Sequence, residues 1–91
     1  MGISQDLLNL LVCPLTKQKL QLLSRDLVLR LNGRISQGDV RSAGGTFVEF
    51  PADQVLITAD RSRLYLVRES IPIMLVDKSI ETSTIGEGWE K

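Results

Sequence analysis

The stretch LLVCPLTKQKL, residues 10–20, holds the residue types nearest to chemistry. Cys13 and Pro14 open a turn of the kind that, as Cys-Pro-x-Cys, supplies two thiolates to one zinc ion, but Thr16 stands at the second ligand position. Cys13 is the single cysteine, and the chain has no histidine. A nucleophilic cysteine acts as its thiolate, ordinarily generated by a partner histidine, so that route is closed. A helix N-terminus would also lower a thiol pKa, yet Cys13 follows the C-terminal end of a predicted helix, where the partial charge is negative. The segment SAGG at 42–45 lacks the lysine and the strand–turn–helix setting of a phosphate loop, and Asp60 and Glu69 read as carboxylates of solvated turns. The residues describe a chain that is not an enzyme and needs no cofactor.

Composition narrows the classes further. Ninety-one residues and 10.1 kDa suit one domain, which at this size buries roughly 60–65% of its unfolded surface. Hydrophobic residues make up 43% and charged residues 24%, which predicts a folded chain. Eleven basic residues balance eleven acidic ones, so no global field draws the protein to nucleic acid or an anionic membrane. The four aromatics, Phe47, Phe50, Tyr65 and Trp89, are scattered rather than gathered into a base-stacking platform. No apolar run reaches the roughly 20 residues of a membrane helix, and no charged start precedes an apolar segment, so a cytoplasmic location is expected.

The elements that must position these residues follow from periodicity. Ile3, Leu7, Leu10 and Leu11 recur at helical spacing, with Ser4 as N-cap, Asp6 in the first turn and Pro14 as the stop. KLQLL at 19–23 alternates as a short strand. Residues 24–37 carry two patterns: Leu27, Leu29 and Leu31 alternate, while Val28, Leu31 and Ile35 fit a helix that Ser24 or Asp26 caps and Gly38 ends. The helix is the reading taken, at a cost of about 1 kcal/mol for Gly33 inside it. A loop at 38–45 leads to strand candidates at 46–50, 54–58 and 63–67, the last two forming an antiparallel hairpin, and then to IPIMLV at 71–76. Residues 78–91 are expected to be a flexible tail.

LLNLLVCPLTKQKL near the start and LYLVRESIPIMLVD near the end resemble the tRNA methyltransferase activator subunit family, the small Trm-one-twelve-like proteins and their short bacterial relatives. The resemblance implies one domain over 1–77, with about 24–53 inserted. It also implies two zinc knuckles, Cys-Pro-x-Cys and a later Cys-x-x-Cys. Counting back from Ile71 and Pro72, the second falls on TADR, so the four ligand positions are Cys13, Thr16, Thr58 and Arg61. One thiol, two neutral hydroxyls and a cation do not make a structural zinc site. RES also replaces the family's Arg-Asp-Gly before Ile71. The expected fold is a small α+β domain: an antiparallel sheet of three or four strands in a degenerate zinc-ribbon-like arrangement, an N-terminal helix and an inserted central helix. Val28, Leu31 and Ile35, with Phe47 and Phe50, are expected to pack on the sheet and replace the metal as stabiliser.

Family members bind S-adenosylmethionine-dependent methyltransferases of the translation machinery and supply no catalytic group. The resemblance implies a partner contact at Ile71, Pro72, Ile73 and Met74, made by strand addition. Trp89 is a second interface candidate. Two further readings stay open: a homodimer through the 71–76 edge, and an RNA-binding accessory using Arg25, Arg30, Arg34 and Arg41, residues that also read as a solvated helix face.

Overall fold

The computed structural model describes residues 5–48, 51–69 and 71–85. Helix α1 (Gln5–Leu10) leads into a turn and then strand β1 (Leu20–Leu22). Its expected cap, Ser4, lies outside the described residues. Leu8 is buried and Leu11 packs beside it, whereas Leu10 is 79% exposed. The helix closes with a tight last turn, Leu11 N–H to Leu8 O at 3.2 Å, which points Leu10 away from the sheet.

Helix α2 (Arg25–Ser36) follows the helical reading of its ambiguous sequence. Ser24 is the N-cap, its side chain accepting from the Leu27 N–H at 3.4 Å, and Asp26 in the first turn suits the helix dipole. At the far end Gly38 takes φ +77°, a conformation a side chain rarely adopts, and its N–H bonds Ile35 O. Val28, Leu31 and Ile35 are buried. Asn32 fixes the helix to the chain just ahead of the next strand by donating to Ala52 O and accepting from the Ala52 N–H, at 3.0 and 2.9 Å.

Strands β2 (Gln54–Thr58) and β3 (Arg63–Arg68) form the antiparallel hairpin, with Leu56 opposite Tyr65. β1 pairs with the outer side of β2, Leu20 opposite Thr58. β4 (Ile71–Pro72) and β5 (Ile80–Glu81) pair antiparallel with β3 at its two ends. The order is β1-β2-β3-β4, with β5 on β3, a small antiparallel sheet with two helices. Pairing alternates side chains between its faces. Val55, Ile57, Leu64 and Leu66 join the buried residues of α2 on one face. Leu20, Leu56, Tyr65 and Val67 gather with Leu8 and Cys13 on the other.

Three expectations need correction. The strand expected at 46–50 reduces, among the described residues, to one bridge between Arg41 and Phe47; Phe47 is 49% exposed with the Arg41 guanidinium 4.6 Å from its ring centroid, so it stacks on a surface cation. Phe50 and Trp89 lie outside the described residues. The strand at 71–76 is assigned only at 71–72, although Ile73 N–H bonds Leu66 O at 2.9 Å, and 76–78 turn into a short 3-10 helix. Finally, 78–85 belong to the fold: β5 pairs with β3, and Ile80 and Ile85 are buried in the α2-side core.

Candidate functional site

The two sequence knuckles lie at the β1–β2 end, where Leu20 pairs with Thr58. In the first, the Lys17 N–H bonds Cys13 O at 2.8 Å and the Cys13 N–H bonds Gln18 O at 2.8 Å, closing a turn in which Lys17 has φ +64°. In the second, the Arg61 N–H bonds Thr58 O at 2.8 Å and Arg61 has φ +62°. The turns persist; their side chains are engaged otherwise.

Thr58 is fully buried, and its hydroxyl donates to Asp60 Oδ1 at 2.7 Å while accepting from the Ser62 and Arg63 N–H groups at 3.1 and 3.2 Å. Asp60 Oδ1 also accepts from the Ser62 hydroxyl at 2.6 Å and the Ser62 N–H at 3.0 Å. Gln18 joins the two turns: its amide donates to Asp60 Oδ2 at 3.1 Å and its carbonyl accepts from the Asp60 N–H at 2.9 Å. Hydrogen bonds from Ser62, Thr58 and Gln18 hold the Asp60 carboxyl well below the usual carboxylate range. Asp60 is thus the anionic hub of this end, a role its reading as a solvated carboxylate missed. The available signal was the spacing Thr58-x-Asp60-x-Ser62, which suits local side-chain to backbone bonding.

Cys13 has no exposed surface, and its Sγ lies 2.9 Å from the Tyr65 hydroxyl. Burial pushes its thiol pKa up, but hydrogen bonds from the Thr16 side chain, from Tyr65 and from the backbone at Thr16 and Leu15 outweigh it and lower the net value. That direction is opposite to the one expected from the end of α1. Tyr65 is raised above the usual phenol range, by burial first and by Cys13 second, with Arg63 and Ser79 opposing the rise. Ser79 Oγ accepts from Arg63 Nη1 at 2.7 Å and donates to Val76 O at 2.6 Å, and Arg63 Nη2 meets Glu81 Oε1 at 3.1 Å. Arg63 therefore ties β3 to residues 79–81.

This donor set does not fit zinc. The one thiol is committed to Tyr65, the Thr58 hydroxyl to Asp60, and the fourth position is a cation; among the described residues, no three of Cys, His, Asp or Glu converge on a point that could hold a metal ion.

At the opposite end of the sheet, Ile71 is 64% and Leu75 60% exposed, while Pro72, Ile73 and Met74 are half-buried. Ile71 pairs with Arg68 and Ile73 with Leu66, so Ile71 and Ile73 share the α2-side face, whereas Met74 packs against the Cys13–Tyr65 cluster. Among the described residues, no helix is long and apolar enough to cross a membrane.

The family model described as Trm112p-like protein matches residues 4–70. The solution NMR structure of XF2673, a protein from Xylella fastidiosa, is similar, with 34% sequence identity, a TM-score of 0.72, and coverage of 92% of this chain and 87% of that one. No curated protein matches this chain.

Proposed function

The chain belongs to the Trm112p-like family, and on that premise we propose that it is a non-catalytic protein-binding module that supports an S-adenosylmethionine-dependent methyltransferase of the translation machinery. The observation that carries this reading, beside the family, is the short edge strand β4 with its outward apolar side chains. Ile71 at 64% exposure lies on the last strand of the sheet path, where a partner strand can add. Pro72 lacks an N–H and tolerates an edge, Ile73 anchors the strand, and Met74 braces it from the other face with an adaptable thioether. In this reading Ile71, Pro72, Ile73 and Met74 form the contact, the module works in the cytoplasm without zinc, and it gives the enzyme a folded, soluble partner rather than a catalytic group.

The test is a pull-down from the native host with the tagged full-length chain, wild type against Ile71→Asp, followed by mass spectrometry and a methyl-transfer assay. Because Ile71 is exposed, the variant is expected to melt like the wild type and yet lose a methyltransferase that the wild type retains. Absence of any methyltransferase, together with a light-scattering mass that climbs to a dimer with concentration, would replace this reading by self-association.

A further inference from the structure

We propose that Pro72 makes the free edge of β4 refuse a second copy of this chain while leaving it open to an extended segment of another protein, so that this residue sets which strand the edge accepts. The inference rests on the reading of β4 as the binding edge and adds to it the choice of partner.

The register of β4 decides which backbone groups face outward. Val67 stands opposite Pro72 and Arg68 opposite Ile71, and the Ile73 N–H bonds Leu66 O at 2.9 Å. In an antiparallel ladder, alternate residues turn both N–H and C=O toward the same neighbouring strand. Ile71 and Ile73 therefore turn theirs toward β3, and Pro72 and Met74 turn theirs away. Among the described residues, β4 pairs with β3 alone, and neither the Pro72 carbonyl nor the backbone of Met74 has a backbone partner. Because proline has no N–H, this edge offers two acceptors, the Pro72 and Met74 carbonyls, and a single donor, the Met74 N–H.

Two such edges related by a two-fold axis do not satisfy each other. The register that sets Pro72 against Met74 of the second copy makes two bonds, from each Met74 N–H to the facing Pro72 carbonyl. It also presses both Met74 carbonyls against rings that cannot donate, and a buried carbonyl left unpaired is costly. Setting Pro72 against itself makes no bond. Setting Met74 against itself brings Pro72 opposite Val76, where the chain has already turned into the 3-10 helix Val76–Lys78. The side chains alone would favour self-pairing, since Ile71 is 64% and Leu75 60% exposed, and an apolar edge invites another copy unless something blocks it. A foreign strand is free of the symmetry. It gives its own N–H groups to the two carbonyls and a carbonyl to the Met74 N–H, and it leaves the ladder beside Pro72 with its next carbonyl in water.

The experiment is sedimentation equilibrium of the full-length chain over a range of concentrations, comparing wild type, Pro72→Ala, and Pro72→Ala combined with Ile71→Asp, with hydrogen exchange of the backbone amides. The N–H that Pro72→Ala introduces faces outward in the monomer, so its melting is expected to match the wild type. It completes two further bonds in a dimer, and dimerisation is expected to tighten about 10- to 30-fold, with exchange slowed at positions 72 and 74. Adding Ile71→Asp is expected to restore the monomer. Should Pro72→Ala fold poorly, Pro72→Thr, a better strand former, makes the same test. A folded variant no more dimeric than the wild type overturns the proposal, and so does a wild type that already dimerises until Ile71→Asp is introduced. Capture of a methyltransferase by the wild type, with Pro72→Ala still monomeric, overturns it while leaving the activator reading intact. Tightened dimerisation of Pro72→Ala, with no methyltransferase captured by the wild type, supports the role of Pro72 and sinks the activator reading.

Discussion

Asp60 gathers the surrounding hydrogen-bond donors of the second turn on one charge. Its carboxyl is held below the usual range by Ser62, Thr58 and Gln18, so the folded state favours the ionised form. That stability is present above the unfolded carboxylate pKa, about 4, and is lost as pH falls below it. Asp60→Asn is therefore expected to lower the melting temperature near neutral pH and to flatten its acid decline, read by circular dichroism from neutral to strongly acidic buffers; an undiminished decline would locate the acid sensitivity elsewhere. Tyr65 has the opposite sign. Its raised pKa, due to burial and then to Cys13, leaves stability intact below about pH 10 and removes it as pH rises beyond. Tyr65→Phe should abolish that alkaline loss while costing about 0.5–1.5 kcal/mol at neutral pH, because Cys13 Sγ loses its hydroxyl partner; urea titrations at both pH values measure each effect. Cys13 is completely buried beside that hydroxyl. The bond to Tyr65 was illegible because 52 residues separate the pair and no local spacing links them.

Elements were legible in proportion to the number of independent signals each carried. For α2, the alternation of Leu27, Leu29 and Leu31 argued for a strand, but Ser24 before the segment and Gly38 after it supplied both ends of a helix, and Val28, Leu31 and Ile35 supplied its buried face. The hairpin of β2 and β3 was legible for the same reason, two apolar runs around a polar turn. β5 was not, because two residues are too few to show a period and Ile80 stands alone in a polar stretch. Residues 46–48 failed the other way: they pair only with 40–42, Ser42 N–H with Thr46 O and Val48 N–H with Val40 O, while the loop between binds the C-terminal segment, Ala43 N–H with Ser79 O and Gly44 N–H with Asp77 O. The expectation that α2 serves as a stabiliser in place of a metal turns on its buried face. Leu31 is fully buried and touches the core, so Leu31→Ala is expected to cost about 2–5 kcal/mol in urea unfolding. Leu29, 61% exposed on the same helix, is the matched control, and Leu29→Ala should cost little. Equal effects of the two would remove α2 from that role.

For the whole molecule, the question is what holds two turns and a five-stranded sheet together when the knuckle residues do not suit zinc. A chain of this size has about 5–15 kcal/mol of net stability, and a structural crosslink is a large part of such a total. Hydrogen bonds between the turns, at about 1 kcal/mol each, are too few to replace it alone. The difference comes from burial on both sheet faces, and part of that burial is supplied by the segment that sequence reasoning set aside as a tail. Ile80 has no exposed surface and Ile85 only 3%, each worth about 1.5–3 kcal/mol when fully buried. Ser79, also fully buried, accepts from Arg63 Nη1. Removing everything after residue 77 takes away β5, both isoleucines and that hydroxyl together, a loss comparable to the whole stability. A chain ending at 77 is therefore expected to lose cooperative unfolding, whereas Ile80→Ala in the full chain should keep a single transition shifted by about 2–5 kcal/mol. Urea denaturation followed by circular dichroism distinguishes them. A shortened chain with an unchanged midpoint would mean that the sheet's first four strands and α2 suffice, and that the C-terminal strand decorates a fold it does not support.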